Sequence, residues 1–392
     1  MQETSRRNFL KTSAAVITSI VSNEALASSI EVRKVTPPNL DNVHLGQKIL
    51  CYRPMRSGSP NLSIAQQADK VIAHNYGHGG SGWTLGPGSA NYVNTLLINS
   101  QFSKDLTNKS TPLAIIGAGV IGLFTAYDLN KRGYSNITIY ADRLDSLTSH
   151  NAGGLLAPVS MDNSPDMQPT IDQIGIDAYR FYDNIANNKN PDFKKGALIV
   201  PTYFNDREDS GLEPYVGKVL APAKEVMLDF GNGTTRKMVV YDDGIYMDTA
   251  TLMEELHTYL KAHSIQIVKR KIDSFTELQQ KFIFNCSGLG AYHLANDHDV
   301  MPVQGHLIML KNQIPQNLNY MILVYFGEGT TEANQKVKRS FYIFPKRLTN
   351  SATNDLGVLG GTFVEGGNPD TPNLKEFEIL VKGAKAFYGI RS

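Results

Sequence analysis

The chain has 392 residues, of which 41% are hydrophobic and 19% charged, and a formal net charge of +1. At ~150 residues per domain this length holds two or three domains, and the apolar fraction excludes wholesale disorder. The balanced charge, with no long Lys/Arg block, argues against nucleic acid as a partner. Two cysteines, Cys51 and Cys286, are too few for a disulfide framework.

Residues 5–11 read SRRNFLK, residues 14–21 form a short, mostly apolar run, and Ala25-Leu26-Ala27 supplies small residues at a cleavage position. The run is less than half of the ~20 residues that a bilayer span needs, so no stable membrane span is expected. The pattern resembles a twin-arginine signal peptide over residues 1–27. That resemblance implies folding in the cytoplasm, passage through the twin-arginine export machinery and a periplasmic or otherwise exported location.

Residues 28–45 are polar, contain Pro37-Pro38 and read as a linker. Residues 46–100 alternate strand-like runs with a Gly-rich stretch and end in a predicted helix, 89–98, with Val93, Leu96 and Leu97 on one face. Residues 101–110 lack apolar periodicity and read as a second linker. From Leu113 the pattern becomes strand, glycine turn, helix (123–130) and strand (137–141), the opening of an α/β unit. Residues 163–246 show no clear period. A helix is expected over 253–262, strands over 265–268, 282–284, 341–344 and 358–359, and a closing helix over 374–388.

The segment Leu113-Ala114-Ile115-Ile116-Gly117-Ala118-Gly119-Val120-Ile121-Gly122 is a strand running into G-x-G-x-x-G and a helix, with Asp142 ending the next strand. Gly117 permits the tight turn, Gly119 a close backbone approach to a pyrophosphate and Gly122 helix–strand packing. The helix N-terminus supplies N–H groups and positive dipole to the phosphates. This predicts dinucleotide binding without choosing between NAD and FAD.

Further residues make the choice. They are Asp142-Arg143, Leu147-Thr148-Ser149, Gly153-Gly154-Leu155, Lys271-Ile272, Asn285-Cys286-Ser287-Gly288, Pro302-Val303-Gln304-Gly305 and Leu359-Gly360-Gly361-Thr362-Phe363. Together with the glycine turn they resemble the D-amino-acid oxidase family of flavoproteins. The resemblance implies FAD as cofactor, with Ile272, Cys286, Ser287 and Gly288 at its adenine end. It also implies oxidative deamination of a D-amino acid by hydride transfer to flavin, with oxygen as acceptor and hydrogen peroxide released. A glycine or secondary-amine oxidase, a dehydrogenase and a non-catalytic flavin-binding protein remain alternatives.

The family usually ends with two segments that stand here before the glycine turn: Tyr52-Arg53-Pro54-Met55-Arg56 and His74-Asn75-Tyr76-Gly77-His78-Gly79-Gly80-Ser81-Gly82-Trp83-Thr84. The order resembles a circular permutation, with residues 101–110 bridging the old termini. By the resemblance Arg53 grips the substrate α-carboxylate, the Gly80 carbonyl accepts from the amine, and Gly79, Gly82, Trp83 and Thr84 approach the flavin. Arg56 is either a second candidate or a structural ion-pair partner. Tyr241 and Tyr246 either close over the substrate or are core aromatics. His74 and His78 have a metal-like spacing without a convergent Cys or acid cluster, so no metal site is expected.

The expected fold is α/β: a Rossmann-like FAD-binding domain (111–162 and 250–300, completed by 46–100) and a mixed-sheet substrate domain (mainly 163–249 and 301–392).

Overall fold

The computed structural model describes residues 30–347 and 356–391; the expected signal peptide lies outside them. Two sheets dominate. The six-stranded sheet runs, in spatial order, Gln266–Lys269, Ile137–Ala141, Leu113–Ile116, Phe282–Asn285, Lys70–His74 and Ile64–Gln67. All neighbours are parallel except the last pair. Leu113–Ile116, Phe282–Asn285 and Lys70–His74 are buried at every residue, as a parallel sheet covered on both faces requires.

The nine-stranded mixed sheet runs Glu31–Lys34, Lys224–Asp229, Thr235–Tyr241, Thr202–Phe204, Met321–Thr330, Lys336–Phe344, Val358–Glu365, Val300–Leu310 and Leu45–Arg56. Alternation along its strands sorts the two faces. Ile308, Leu310, Ile322, Phe341 and Ile343 pack with Phe377, Leu380 and Tyr388 of the closing helix Lys375–Tyr388. Their neighbours Leu307, Leu323, Tyr342 and Phe344 face the other way, into the core shared with the six-stranded sheet.

Three sequence expectations change. Residues 28–45 are not only a linker, because Glu31–Lys34 pairs in parallel with Lys224–Asp229 at the sheet edge and Arg33 forms an ion pair with Asp242. Four residues with one exposed valine carry no strand signal of their own; the distant partner strand supplies it. Residues 46–100 serve both sheets: Leu45–Arg56 joins the large one, whereas Ile64–Gln67 and Lys70–His74 join the small one. The helix expected over 89–98 begins at Gly82 and runs to Ile98 with Pro87 inside it. Proline removes the N–H that would reach the carbonyl four residues back. That carbonyl, of Trp83, instead accepts from the Tyr182 hydroxyl at 2.7 Å, so the helix tolerates what reads in sequence as a breaker.

Candidate active site

The carboxyl ends of the parallel strands and the inner face of the large sheet enclose a cavity of about 690 Å³. One end is built on the glycine turn. Gly117 turns with φ +113°, and a Cβ there would stand 2.3 Å from the Cys286 carbonyl oxygen. Only glycine lets these two strand ends meet. Gly122 packs the helix Val120–Lys131 onto the Gly117 carbonyl and lies off the cavity wall, whereas Gly117, Ala118, Gly119, Val120 and Ile121 line it. The first turn of that helix therefore opens onto the cavity, the arrangement that suits a phosphate.

The walls of this end are knitted together by hydrogen bonds. The Val120 N–H donates to Ser149 Oγ at 3.0 Å, Trp83 Nε1 donates to the Ser149 carbonyl at 2.9 Å, and Thr148 Oγ1 donates to the Tyr52 carbonyl at 2.9 Å. Gly154 and Leu155 continue the wall, and Asp142 and Arg143 line it with exposed side chains. Ile272, Cys286, Ser287 and Gly288 also face the cavity. Burial pushes the Cys286 thiol up to about 12, so it lines the wall as a neutral group.

Gly79, Gly80, Gly82, Trp83 and Thr84 bring the glycine-rich loop into the same cavity. Beside them His78 is 2% exposed and Asn75 is fully buried, yet His78 Nε2 and Asn75 Oδ1 have no hydrogen-bond partner. Burial holds the His78 imidazole down to about 4, so it is neutral at pH 7. His78 Nε2 and Asn75 Oδ1 lie behind the wall rather than on its surface. The open helix terminus and the bare backbone at Gly119 are what fit a ligand carrying phosphates.

At the other end Arg53 is 8% exposed. Its Nη1 donates to the Thr362 carbonyl at 2.9 Å and its guanidinium lies 4.4 Å over the Phe363 ring. Among the described residues no carboxylate pairs with it. Gly80 is adjacent, since a Cβ on it would stand 3.4 Å from Arg53 Cδ. Arg56, three residues along the strand, points to the opposite face and pairs with Asp297 at 2.8 Å and Asp299 at 3.0 Å. Its structural alternative is the one observed.

Tyr241 and Tyr246 are corrections. Both are core residues off the cavity wall: the Tyr241 hydroxyl donates to Glu213 at 2.6 Å, and Tyr246 bridges to Leu155 from behind. Besides Tyr52, Tyr76 and Trp83, the wall carries the aromatics Tyr325, Tyr342, Phe344 and Phe363, with Tyr342 and Phe344 stacked at 4.3 Å and 2°. Burial pushes the Tyr325 hydroxyl up to about 12. Only strand alternation in residues 341–344 could have marked two of these four, and it does not say which face meets the ligand. His74 packs edge-on against Tyr76 and Phe275, and no group of three metal-ligating residues occurs among the described residues.

A family model described as "DAO: FAD dependent oxidoreductase" matches residues 112–390. The chain is 28% identical over 279 residues to a D-amino-acid oxidase of Dictyostelium discoideum, covering 69% of this chain and 71% of the relative. It is 26% identical to a human D-aspartate oxidase, covering 67% and 73%. A glycine oxidase structure from Geobacillus kaustophilus aligns at 15% identity over 64% of this chain and 71% of that one, with TM-score 0.46. The match to residues 112–390, over a cavity built to receive phosphates, makes the chain a member of the DAO family of FAD-dependent oxidoreductases, with FAD as its cofactor.

Proposed function

We propose that the protein oxidises D-amino acids, converting each to an imino acid that water hydrolyses to a 2-oxo acid and ammonia. The observation that carries this reading is Arg53, a buried cation with no carboxylate partner among the described residues, placed beside Gly80 and aromatic walls. An unpaired buried charge is costly, and an incoming carboxylate relieves that cost through two parallel hydrogen bonds. The Gly80 carbonyl takes the amine, and Tyr342, Phe344 and Phe363 exclude water around the α-carbon. Bound FAD supplies the acceptor for the hydride, and oxygen regenerates it with release of hydrogen peroxide. Burial raises the Tyr325 hydroxyl and lowers the His78 imidazole, both away from neutral pH, and the contribution we assign to this site is orientation of the substrate.

The test is anaerobic addition of D-alanine, D-phenylalanine, their L-enantiomers, glycine and N-methylglycine to the yellow holoprotein. Bleaching by the D-enantiomers is expected. Bleaching by glycine or N-methylglycine with inert D-amino acids would overturn the reading in favour of a glycine or secondary-amine oxidase.

The same reading takes residues 46–100 as family segments displaced ahead of the glycine turn by circular permutation. Two observations support it: the family match begins at residue 112, and Arg53 and the 75–84 loop, which line the cavity, precede that point. Superposition on a solved D-amino-acid oxidase checks it. The strand beside the counterpart of Phe282–Asn285 must come from the carboxyl-terminal part of that enzyme, and an origin elsewhere would remove the permutation.

A further inference from the structure

The large sheet has several register irregularities, and one of them lies under Arg53. Val300–Leu310 pairs with Val358–Glu365 in register at Gln304↔Val364 and again at Leu307↔Gly360, so Gly305 and His306 face the three residues Gly361, Thr362 and Phe363. The pairing of Lys336–Phe344 with the same strand also slips, between Arg339 and Tyr342. On its other side Val300–Leu310 keeps register with Leu45–Arg56 through Gly305, placing Cys51 opposite Gly305 and Arg53 opposite Val303. Bulges bend a strand and re-aim its groups. Here the bulge turns the Thr362 carbonyl to Arg53 Nη1 and the Phe363 ring to the guanidinium plane.

We infer that Gly305 and Thr362 are positioning residues that hold the Arg53 fork in the orientation the substrate carboxylate needs. This inference rests on the carboxylate-binding reading of Arg53. Gly305 contributes by lacking a side chain: a Cβ there would stand 2.7 Å from Arg53 Nη1, 2.8 Å from Nη2 and 2.9 Å from Cζ. The guanidinium therefore lies across bare backbone. The atoms that a methyl group would displace belong to the far end of a long side chain, so the sheet survives the substitution and the arginine moves.

Thr362 contributes through a locked side chain. The His306 N–H donates to Thr362 Oγ1 at 3.0 Å, and His306 Nδ1 lies 2.6 Å from the same oxygen. His306 Nε2 is 3.0 Å from the Pro372 carbonyl, which only accepts. The proton of the neutral ring is thus on Nε2, Nδ1 accepts, and the Thr362 hydroxyl donates to it. Both atoms are fully enclosed: His306 is 0% and Thr362 1% exposed. Threonine thereby fixes the bulge whose carbonyl holds Arg53.

The test uses the holoprotein and benzoate, a carboxylate on an aromatic ring, with binding read from the shift of the bound-flavin absorption and without turnover. Gly305→Ala is expected to weaken benzoate at least tenfold while FAD content and melting temperature stay near the parent. Thr362→Val, which keeps shape and loses the hydroxyl, is expected to weaken it several-fold, and Thr362→Ser is expected to restore parental binding. With a good amino-acid substrate the same two variants raise KM more than they lower kcat. Parental benzoate affinity in both Gly305→Ala and Thr362→Val would overturn the inference and leave the reading of Arg53 intact. Absence of benzoate binding in the parent, in a protein that still carries FAD, would overturn both together.

Discussion

Arg53→Leu is expected to leave a folded, yellow protein that no longer reduces its flavin usefully with D-amino acids. Hydrogen bonds to charged groups contribute ~1.5–3 kcal/mol each, so losing a two-bond grip costs ~3–6 kcal/mol. At ~1.4 kcal/mol per decade that is roughly two to four orders of magnitude in kcat/KM. The fold itself loses little. Arg53 has one hydrogen bond to protein, to the Thr362 carbonyl, and no ion pair among the described residues, so its removal also relieves an uncompensated buried charge. The melting temperature is therefore expected to hold or rise, a combination that a structural arginine would not give. Arg53→Lys keeps the charge without the planar fork and should recover part of the loss. The measurement is the anaerobic reduction rate in parent, Leu and Lys proteins over a range of D-amino-acid concentrations. Equal rates in all three would remove Arg53 from the substrate site.

The second large effect is expected at Gly119. Its Cβ would meet only Ser149 Oγ, at 3.3 Å, and otherwise projects into the cavity. Gly119→Val therefore folds but occupies the path of the pyrophosphate. Overpacking of this kind costs ~1–3 kcal/mol, about one to two orders of magnitude in FAD affinity at the upper end. A soluble, colourless protein is expected, with circular dichroism like that of the parent stripped of flavin. Gly117→Ala is the contrast: its Cβ would run into the Cys286 backbone at positive φ, so the variant is expected to be insoluble. If Gly119→Val retained FAD at parental affinity, the pyrophosphate would have to lie elsewhere.

The cofactor end of the site was legible in the sequence because its information is local. A strand, two glycines and a helix start are consecutive residues, and Asp142 lies one strand further on. Gly117, Gly119 and Asp142 could be expected on one wall before any packing was known, and all three line the cavity. At the other end of the cavity the sequence offered Arg53 and Gly80, and those through resemblance rather than periodicity; both line the cavity. Tyr325, Tyr342 and Phe363 sit on three different strands and meet through sheet order and a bulge, neither of which leaves a mark in linear sequence. Of the two readings open for Tyr241 and Tyr246, the core one is observed; the resemblance that offered them as pocket residues does not say which layer covers them. The start of the helix at Gly82 was hidden by Pro87, whose tolerance depends on a hydroxyl from Tyr182.

The parallel pairing of Lys70–His74 with Phe282–Asn285, and the long pairing of Leu45–Arg56 with Val300–Leu310, carry a consequence for how the chain is born. His74 and Asn285 are 211 residues apart in sequence, and Tyr52 and Gln304 are 252 apart. During synthesis the amino-terminal third emerges with Leu45–Arg56 unmatched and Lys70–His74 paired only to Ile64–Gln67; the smaller sheet is complete only once residues 282–285 have left the ribosome, and the larger only once residues 358–365 have. Such non-local topology folds slowly and leaves strand edges open to aggregation meanwhile. Ribosome-bound chains stalled before residue 282 should therefore remain protease-sensitive throughout residues 46–100, and the wall that carries Arg53 forms only as translation nears its end.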